Sequence, residues 1–117
     1  MPSSEIYRYL DVGRNKVPLD TESYLIHLND WTPAVAQAMA AEEGRELTDL
    51  HWEVIEVLRD FYHRFEMAPS MRPLVKAMTQ TYGPEKGKSI YLMRLFPDSP
   101  AKVGARIAGL PKPANCL

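Results

Sequence analysis

The sequence predicts a mainly α-helical bundle with an N-terminal β-hairpin and a flexible C-terminal arm. Three observations lead there. Strand-like residues flank a turn in the first 19 positions, several apolar segments at helical spacing follow, and the last residues are proline-rich. At 117 residues the chain is long enough for one domain with a sizeable core. We expect residues 1–109 to form that domain and residues 110–117 to form the arm.

The hairpin is predicted over about residues 5–19. Residues 6–10 are aromatic or branched, residues 13–15 tolerate a tight turn, and Pro18 in the return strand is typical of a sheet edge. Asp20 or Thr21 is then predicted to cap a short helix through Leu28. We expect Trp31, which follows it, to be a core aromatic that anchors the link.

Five further segments have helical patterns, with capping residues before them and glycines or prolines after them. The second is the longest and has a broad apolar face, which predicts that it forms the centre of the core. The five predicted helices run from Thr32-Pro33 to Gly44, from about Asp49 (capped by Thr48) to Phe65, from about Met71 to Tyr82, from beyond Gly83-Pro84 to about Phe96, and from Ser99-Pro100 to Gly109.

The overall composition is that of an ordinary globular protein, with 45% hydrophobic and 25% charged residues. No apolar run approaches the ~20 residues that span a bilayer. The first residues lack the basic and apolar regions of a signal peptide, so a cytoplasmic location without a membrane partner is expected.

Charge is unevenly distributed along the chain. Residues 1–66 contain six Lys/Arg against thirteen Asp/Glu, a net charge of −7, whereas residues 67–117 contain eight against two, a net charge of +6. This pattern favours an anionic partner or ligand for the C-terminal half, unless the fold brings the two halves together and cancels it.

The predicted helices at about Asp49–Phe65 and Met71–Tyr82 are joined by a short link, as in a helix-turn-helix. Arg72 and Lys76 on the helix of about Met71–Tyr82 could then contact DNA, so a helix-turn-helix DNA-binding regulator with direct nucleic-acid contact is one alternative function. Ordinary helix packing explains the same pattern.

Metal binding is not predicted. One cysteine cannot form an intrachain disulfide or a cysteine-based zinc site. The histidines at 27, 51 and 63 do not have the His-Glu-x-x-His spacing of zinc proteases. No cofactor is expected.

The chemistry of the chain is concentrated in Cys116, its only cysteine. Prolines at 111 and 113 prevent the last helix from continuing, and an extended segment of residues 110–116 could reach on the order of 20–25 Å. Lys102, Arg106 and Lys112 could favour the reactive thiolate, which the carboxylate of Leu117 opposes. A thiolate can accept a sulfur from a persulfide and pass it on. A cysteine tolerated at a disordered chain end is the competing interpretation, and chemistry alone leaves both open. Either way, the small apolar content of residues 110–117 predicts that the domain folds without them.

The chain resembles the TusE/DsrC family of sulfur-relay proteins, from Asp20 onward. The ending Gly-Leu-Pro-Lys-Pro, followed by two residues, a cysteine and one more residue, is highly specific to that family. Supporting stretches are residues 20–25, 51–54, 59–62, 74–78, 91–97 and 107–113.

The resemblance implies a helical fold with a hairpin, a helix-turn-helix-like element and a mobile C-terminal arm. It also implies that Cys116 accepts sulfur from a TusBCD/DsrEFH-type donor complex. The acceptor it implies is a tRNA-thiolating enzyme that modifies the wobble uridine or, alternatively, a sulfite reductase in dissimilatory sulfur metabolism. The second cysteine of DsrC proper aligns with Ala105, which favours the TusE-like role. Such a carrier is an enzyme only in the sense that it takes part covalently in group transfer.

Overall fold

The N-terminal hairpin is present as predicted. The computed structural model describes residues 5–114. Strand β1 (Arg8–Val12) pairs antiparallel with β2 (Asn15–Leu19) around a two-residue turn, and Gly13 adopts a φ of +60° there. Leu10 and Val17 are cross-strand partners and are both buried, so one face of the hairpin lies on the core.

The predicted helix between Asp20 and Leu28 does not form. The Asp20 carboxylate accepts hydrogen bonds from the backbone N–H groups of Glu22 (2.9 Å) and Tyr24 (3.0 Å), and Ser23 adopts a φ of +68°. Short polar side chains that bond to the backbone in this way stabilise turns at the expense of helices. A single 3₁₀ turn, Leu28–Asp30, is the helical structure that this link contains.

Helix α1 (Pro33–Glu42) begins and ends as the sequence indicates. Thr32 caps it by accepting a hydrogen bond from the Val35 N–H at 3.2 Å. Gly44, with a φ of +69°, ends it in a Schellman motif, in which the Arg45 N–H donates to the Ala40 carbonyl at 2.9 Å.

Helix α2 (Asp49–Phe65) is the central helix, as predicted. Its first turn is closed by a capping box in which His51 takes the place that Glu or Gln usually has. The His51 Nδ1 accepts a hydrogen bond from the Thr48 N–H at 3.1 Å, and the Nε2 donates to the Leu95 carbonyl at 2.9 Å. Burial lowers the pKa of His51. The hydrogen bond to the Leu95 carbonyl raises this pKa, and the nearby positive charge of Arg45 lowers it further.

Three more helices complete the described residues: α3 (Met71–Tyr82), α4 (Ser89–Leu95) and α5 (Pro100–Ile107). Helix α2 packs against α3 and α5, and α1 packs against β1 and α5. The predicted mainly α fold with an N-terminal hairpin is therefore confirmed.

The core lies around α2 and α5. Its largest fully buried side chains come from the hairpin, from all five helices and from the links after α2 and α4. They are Leu10, Leu19, Val35, Val54, Ile55, Leu58, Pro69, Leu74, Met78, Leu92, Phe96 and Ile107.

Candidate functional site

The base of the C-terminal segment is built by the end of α5. Gly109 adopts a φ of +76° and donates its N–H to the Arg106 carbonyl at 3.1 Å, and the Leu110 N–H donates to the Ala105 carbonyl at 2.9 Å. These two bonds form a second Schellman motif, with Leu110 in the position that usually makes a hydrophobic contact. The motif sets the direction in which the chain leaves the helix.

Trp31 closes over this turn. Its indole Nε1–H donates to the Ile107 carbonyl at 2.8 Å. A Cβ atom added at Gly109 would lie 2.2 Å from Trp31 Cδ1, closer than such atoms approach in proteins. Glycine is therefore required at position 109 by both its backbone conformation and its neighbour.

Arg59 on α2 supports the same turn from the other side. Its Nη1 donates to the Ala108 carbonyl at 2.7 Å, and its guanidinium lies 3.8 Å from the centroid of the Trp31 ring. Burial lowers the pKa of Arg59, but an arginine in this setting keeps its charge at neutral pH. A cation bonded to the last carbonyls of α5 also complements the negative end of the helix dipole.

The first residues of the segment are packed against the body. Leu110 is 2% exposed and belongs to the core cluster, and Pro113 is buried too. Lys112 Nζ bonds to the Glu22 carboxylate at 2.8 Å, in the link that replaces the predicted helix. The predicted arm boundary at residue 110 therefore falls inside the packed structure, and Cys116 lies outside the described residues.

The cations predicted to favour the thiolate have different surroundings. Arg106 forms an ion pair with Glu43, which also binds Arg45, and Lys112 is paired with Glu22. Lys102 takes part in none of the ion pairs that the structure describes. Two of the three predicted cations, Arg106 and Lys112, are therefore already paired with carboxylates.

The fold cancels much of the charge asymmetry of the sequence. Three cations of the basic C-terminal half bind carboxylates of the acidic half: Lys86 with Glu53, Arg106 with Glu43 and Lys112 with Glu22. Arg72 and Lys76, the predicted DNA contacts, are not among the paired residues of the described chain and are exposed on α3. The cations of the C-terminal half that form none of the described ion pairs are on α3, α4 and α5.

Sequence reasoning missed several residues that hold this site. Arg59 and Glu22 lie 49 and 90 positions from their partners Ala108 and Lys112, so no local pattern could reveal them. Trp31 is expected only as a core aromatic, although its isolated position in a polar link is a signal for a long-range anchor. Its indole N–H in fact binds the end of α5.

Within residues 5–114, no three His, Cys, Asp or Glu side chains are grouped so that they could hold a metal ion. No helix there is long and apolar enough to cross a membrane.

The fold and the segment after Gly109 define a class of small helical protein, with an N-terminal hairpin and a cysteine-bearing C-terminal segment. The family described as "DsrC like protein" matches residues 11–117. A curated relative, the sulfurtransferase TusE of Sodalis glossinidius, is 48% identical over 108 residues, covering 92% of this chain and all of the relative. The TusE of Yersinia pseudotuberculosis is 50% identical over 101 residues, covering 86% and 94%. The chain belongs to the DsrC-like family, which confirms the predicted resemblance.

Solved structures agree. The NMR structure of Allochromatium vinosum DsrC has a TM-score of 0.85 at 45% identity, covering 94% of this chain and 98% of that one. The oxidised γ-subunit of the dissimilatory sulfite reductase (DsrC) of Archaeoglobus fulgidus has a TM-score of 0.81 at 38% identity, covering 93% and 99%.

Proposed function

We propose that the protein is a sulfur carrier that works through Cys116. The Cys116 thiolate attacks the terminal sulfur of a donor persulfide, a new S–S bond forms to Cys116, and the donor leaves as a thiolate. An acceptor thiolate then attacks the terminal sulfur of the Cys116 persulfide. That sulfur passes to the acceptor, and Cys116 leaves as a thiolate. Each step exchanges one S–S bond for another, so no oxidant or reductant is needed.

One observation carries this proposal: the Gly109–Pro113 segment that leads to Cys116. Its first turn is held by a Schellman motif, by Trp31 and by Arg59, which is an elaborate support for a segment without function. The family match extends through residue 117, and the curated relatives are named sulfurtransferases. Together they favour a working thiol over a tolerated one.

The relatives named sulfurtransferase TusE support the TusE-like role, for which the resemblance implies that sulfur passes to tRNA. We propose a TusBCD/DsrEFH-type complex as donor, a tRNA-thiolating enzyme that modifies the wobble uridine as acceptor, and the cytoplasm as the compartment.

A mass measurement tests the carrier step. Incubation with a persulfide-loaded donor should add one sulfur, a mass increase of about 32 Da that a thiol reductant removes. Cys116→Ser should abolish the increase, and Ala114→Ser, a change of similar size two residues away, should leave it intact. An adduct that persists in Cys116→Ser would rule out the proposal.

Lys102, Arg106 and Lys112 are proposed as electrostatic residues of the site. Because Arg106 and Lys112 already face carboxylates, each adds less positive field at the thiol than a cation without an ion pair. Lys102→Ala should therefore slow alkylation of Cys116 by iodoacetamide at neutral pH more than Lys112→Ala does. The reverse order would show that Lys112 leaves Glu22 when the thiol reacts.

A second candidate is a DsrC-like partner of a sulfite reductase, which the likeness to the A. fulgidus γ-subunit favours. The chain has one cysteine, and Ala105 is fully buried in α5, so chemistry through an intramolecular disulfide is not open to it. Crosslinking through Cys116 in cell extract separates the candidates. Capture of a tRNA-thiolating enzyme supports the first, and capture of a sulfite reductase subunit supports the second.

A further inference from the structure

A cleft of about 510 Å³ lies between α2 and α3, apart from the segment that carries Cys116. We call it the α2–α3 cleft, and its chemically distinctive lining residues are Asp60, Phe61, Arg64, Phe65, Arg72 and Lys76.

Three cations without an ion pair line the cleft together. Seven of the fourteen Lys and Arg residues form ion pairs among residues 5–114, and three of the other seven, Arg64, Arg72 and Lys76, line this one surface. Asp60 is the one carboxylate among the described residues that line it. Three positive charges against one negative charge on a concave surface favour an anionic ligand.

Two aromatic rings lie beside these charges. Phe65 ends α2 and is 54% exposed, and its centroid lies 4.6 Å from that of Phe61 at an interplanar angle of 48°. A single exposed aromatic side chain is ordinary, but here two rings in contact line the same cleft as the three cations. An aromatic platform next to a positively charged groove is the arrangement that binds single-stranded nucleic acids, because every base has a face that can stack.

We propose that the α2–α3 cleft binds a single-stranded nucleic-acid segment. Arg64, Arg72 and Lys76 contact its phosphates, and a base stacks on Phe65. A duplex fits less well, because readout of the major groove needs a helix that protrudes, whereas Arg72 and Lys76 line a concave surface shared with α2. An amphipathic protein helix needs a continuous apolar stripe. Here Val57 is buried beneath the surface, and cations lie beside the exposed ring.

Fluorescence anisotropy with labelled 12-nucleotide single strands, one of RNA and one of DNA, tests the proposal on the full reduced protein. Three phosphate contacts predict a salt slope near −2, so the affinity should fall about 20-fold between 50 and 200 mM salt. The double reversal Arg72→Glu/Lys76→Glu should lower the affinity at least tenfold. The matched control Arg14→Glu/Arg94→Glu changes net charge equally at exposed residues outside the cleft, and should lower the affinity less than threefold.

The aromatic contribution is tested separately. Phe65→Ala should weaken binding at least fivefold, since stacking of one base is worth about 1–3 kcal/mol. Ile90→Ala, which removes another exposed apolar side chain on α4, should leave binding unchanged. Circular dichroism melts confirm that each variant is folded.

Three results would overturn the proposal: equal loss in both charge reversals, tighter binding of a 12-base-pair DNA duplex, or equally effective competition by polyglutamate of matched charge. The last would indicate an acidic protein as the occupant. The assay contains no sulfur donor, so its outcome is independent of the proposed carrier function.

Discussion

The contact between Trp31 and Gly109 makes a sharp prediction, because the chain contains a matched control. Gly109 and Gly44 both end helices in Schellman motifs, with φ values of +76° and +69°. They differ in their surroundings. A Cβ at Gly44 would meet nothing within 4 Å, whereas one at Gly109 would overlap the Trp31 ring. Substituting alanine at each position therefore separates the conformational cost from the packing cost.

The expected magnitudes follow from these two terms. Gly44→Ala should cost about 1 kcal/mol of unfolding free energy, the penalty of a left-handed conformation with a Cβ. Gly109→Ala carries the same penalty plus roughly 1–3 kcal/mol for displacing the Trp31 ring. Displacement also breaks the Nε1–H···O bond to Ile107, worth about 1 kcal/mol. The difference between the two variants should be roughly 2–4 kcal/mol.

Urea denaturation followed by far-UV circular dichroism measures both variants under the same conditions. A double-mutant cycle assigns the difference to its cause. In a Trp31→Leu background, the cost of Gly109→Ala should fall toward that of Gly44→Ala, because the smaller side chain gives way. Costs for Gly109→Ala and Gly44→Ala that agree within about 0.5 kcal/mol would refute an energetic role for the Trp31–Gly109 contact, since deviations from additivity are of that size.

Three further predictions concern two supports of the site and the capping box of α2. Deleting residues 110–117 should lower the unfolding free energy by about 2 kcal/mol, because it removes the buried Leu110, whereas deleting residues 115–117 should change it by less than about 0.5 kcal/mol; denaturant melts measure both, and equal effects would contradict the packing of Leu110. Arg59→Met keeps much of the side-chain volume but removes the charged bond to Ala108, so it should cost about 1.5–3 kcal/mol in the same melts, and a loss below about 0.5 kcal/mol would be inconsistent with that bond. The pKa of His51 is lower in the folded than in the unfolded chain, so the unfolded state takes up the proton first and stability should fall as the pH drops below 6.5 toward the folded pKa. His51→Gln keeps the capping box, so its unfolding free energy should fall less between pH 7 and 5 than that of the parent protein. An equal fall in the two proteins would contradict this role of His51.

Local signals predicted the regular elements of the fold well. The Thr-Pro and Ser-Pro pairs before α1 and α5, and the glycines after them, are caps whose physics involves a few neighbouring residues. The same local logic was wrong at Asp20, where the carboxylate could serve either a helix or a turn. The chain forms the turn, in which Leu25 makes a β-bridge with Leu19 and the Ile26 N–H donates to the Pro18 carbonyl.

The supports of the candidate site could not be predicted, because they are long-range contacts. The sequence indicates that Gly109 ends a helix. It does not indicate that a Cβ at this position would overlap the ring of Trp31, which is 78 positions earlier. The burial of Leu110 was not expected for a related reason. Leu110 follows a helix-ending glycine and precedes a proline, which is typical of a departing segment, yet it fills the hydrophobic position of the Schellman motif.

The buried Pro113 shortens the working radius of the thiol. Cys116 is three positions beyond Pro113, so it can lie at most about 10 Å from that anchor, roughly half of what a segment free from Gly109 would allow. A donor or acceptor must then either present its own sulfur near its surface or peel Pro113 and Leu110 away from the body. A partner of the second kind spends part of its binding free energy on that detachment, so partners with recessed active sites should bind more weakly for the same contact area. For the proposed carrier function of Cys116, the depth of the reactive sulfur in a partner would then help to determine which partners bind.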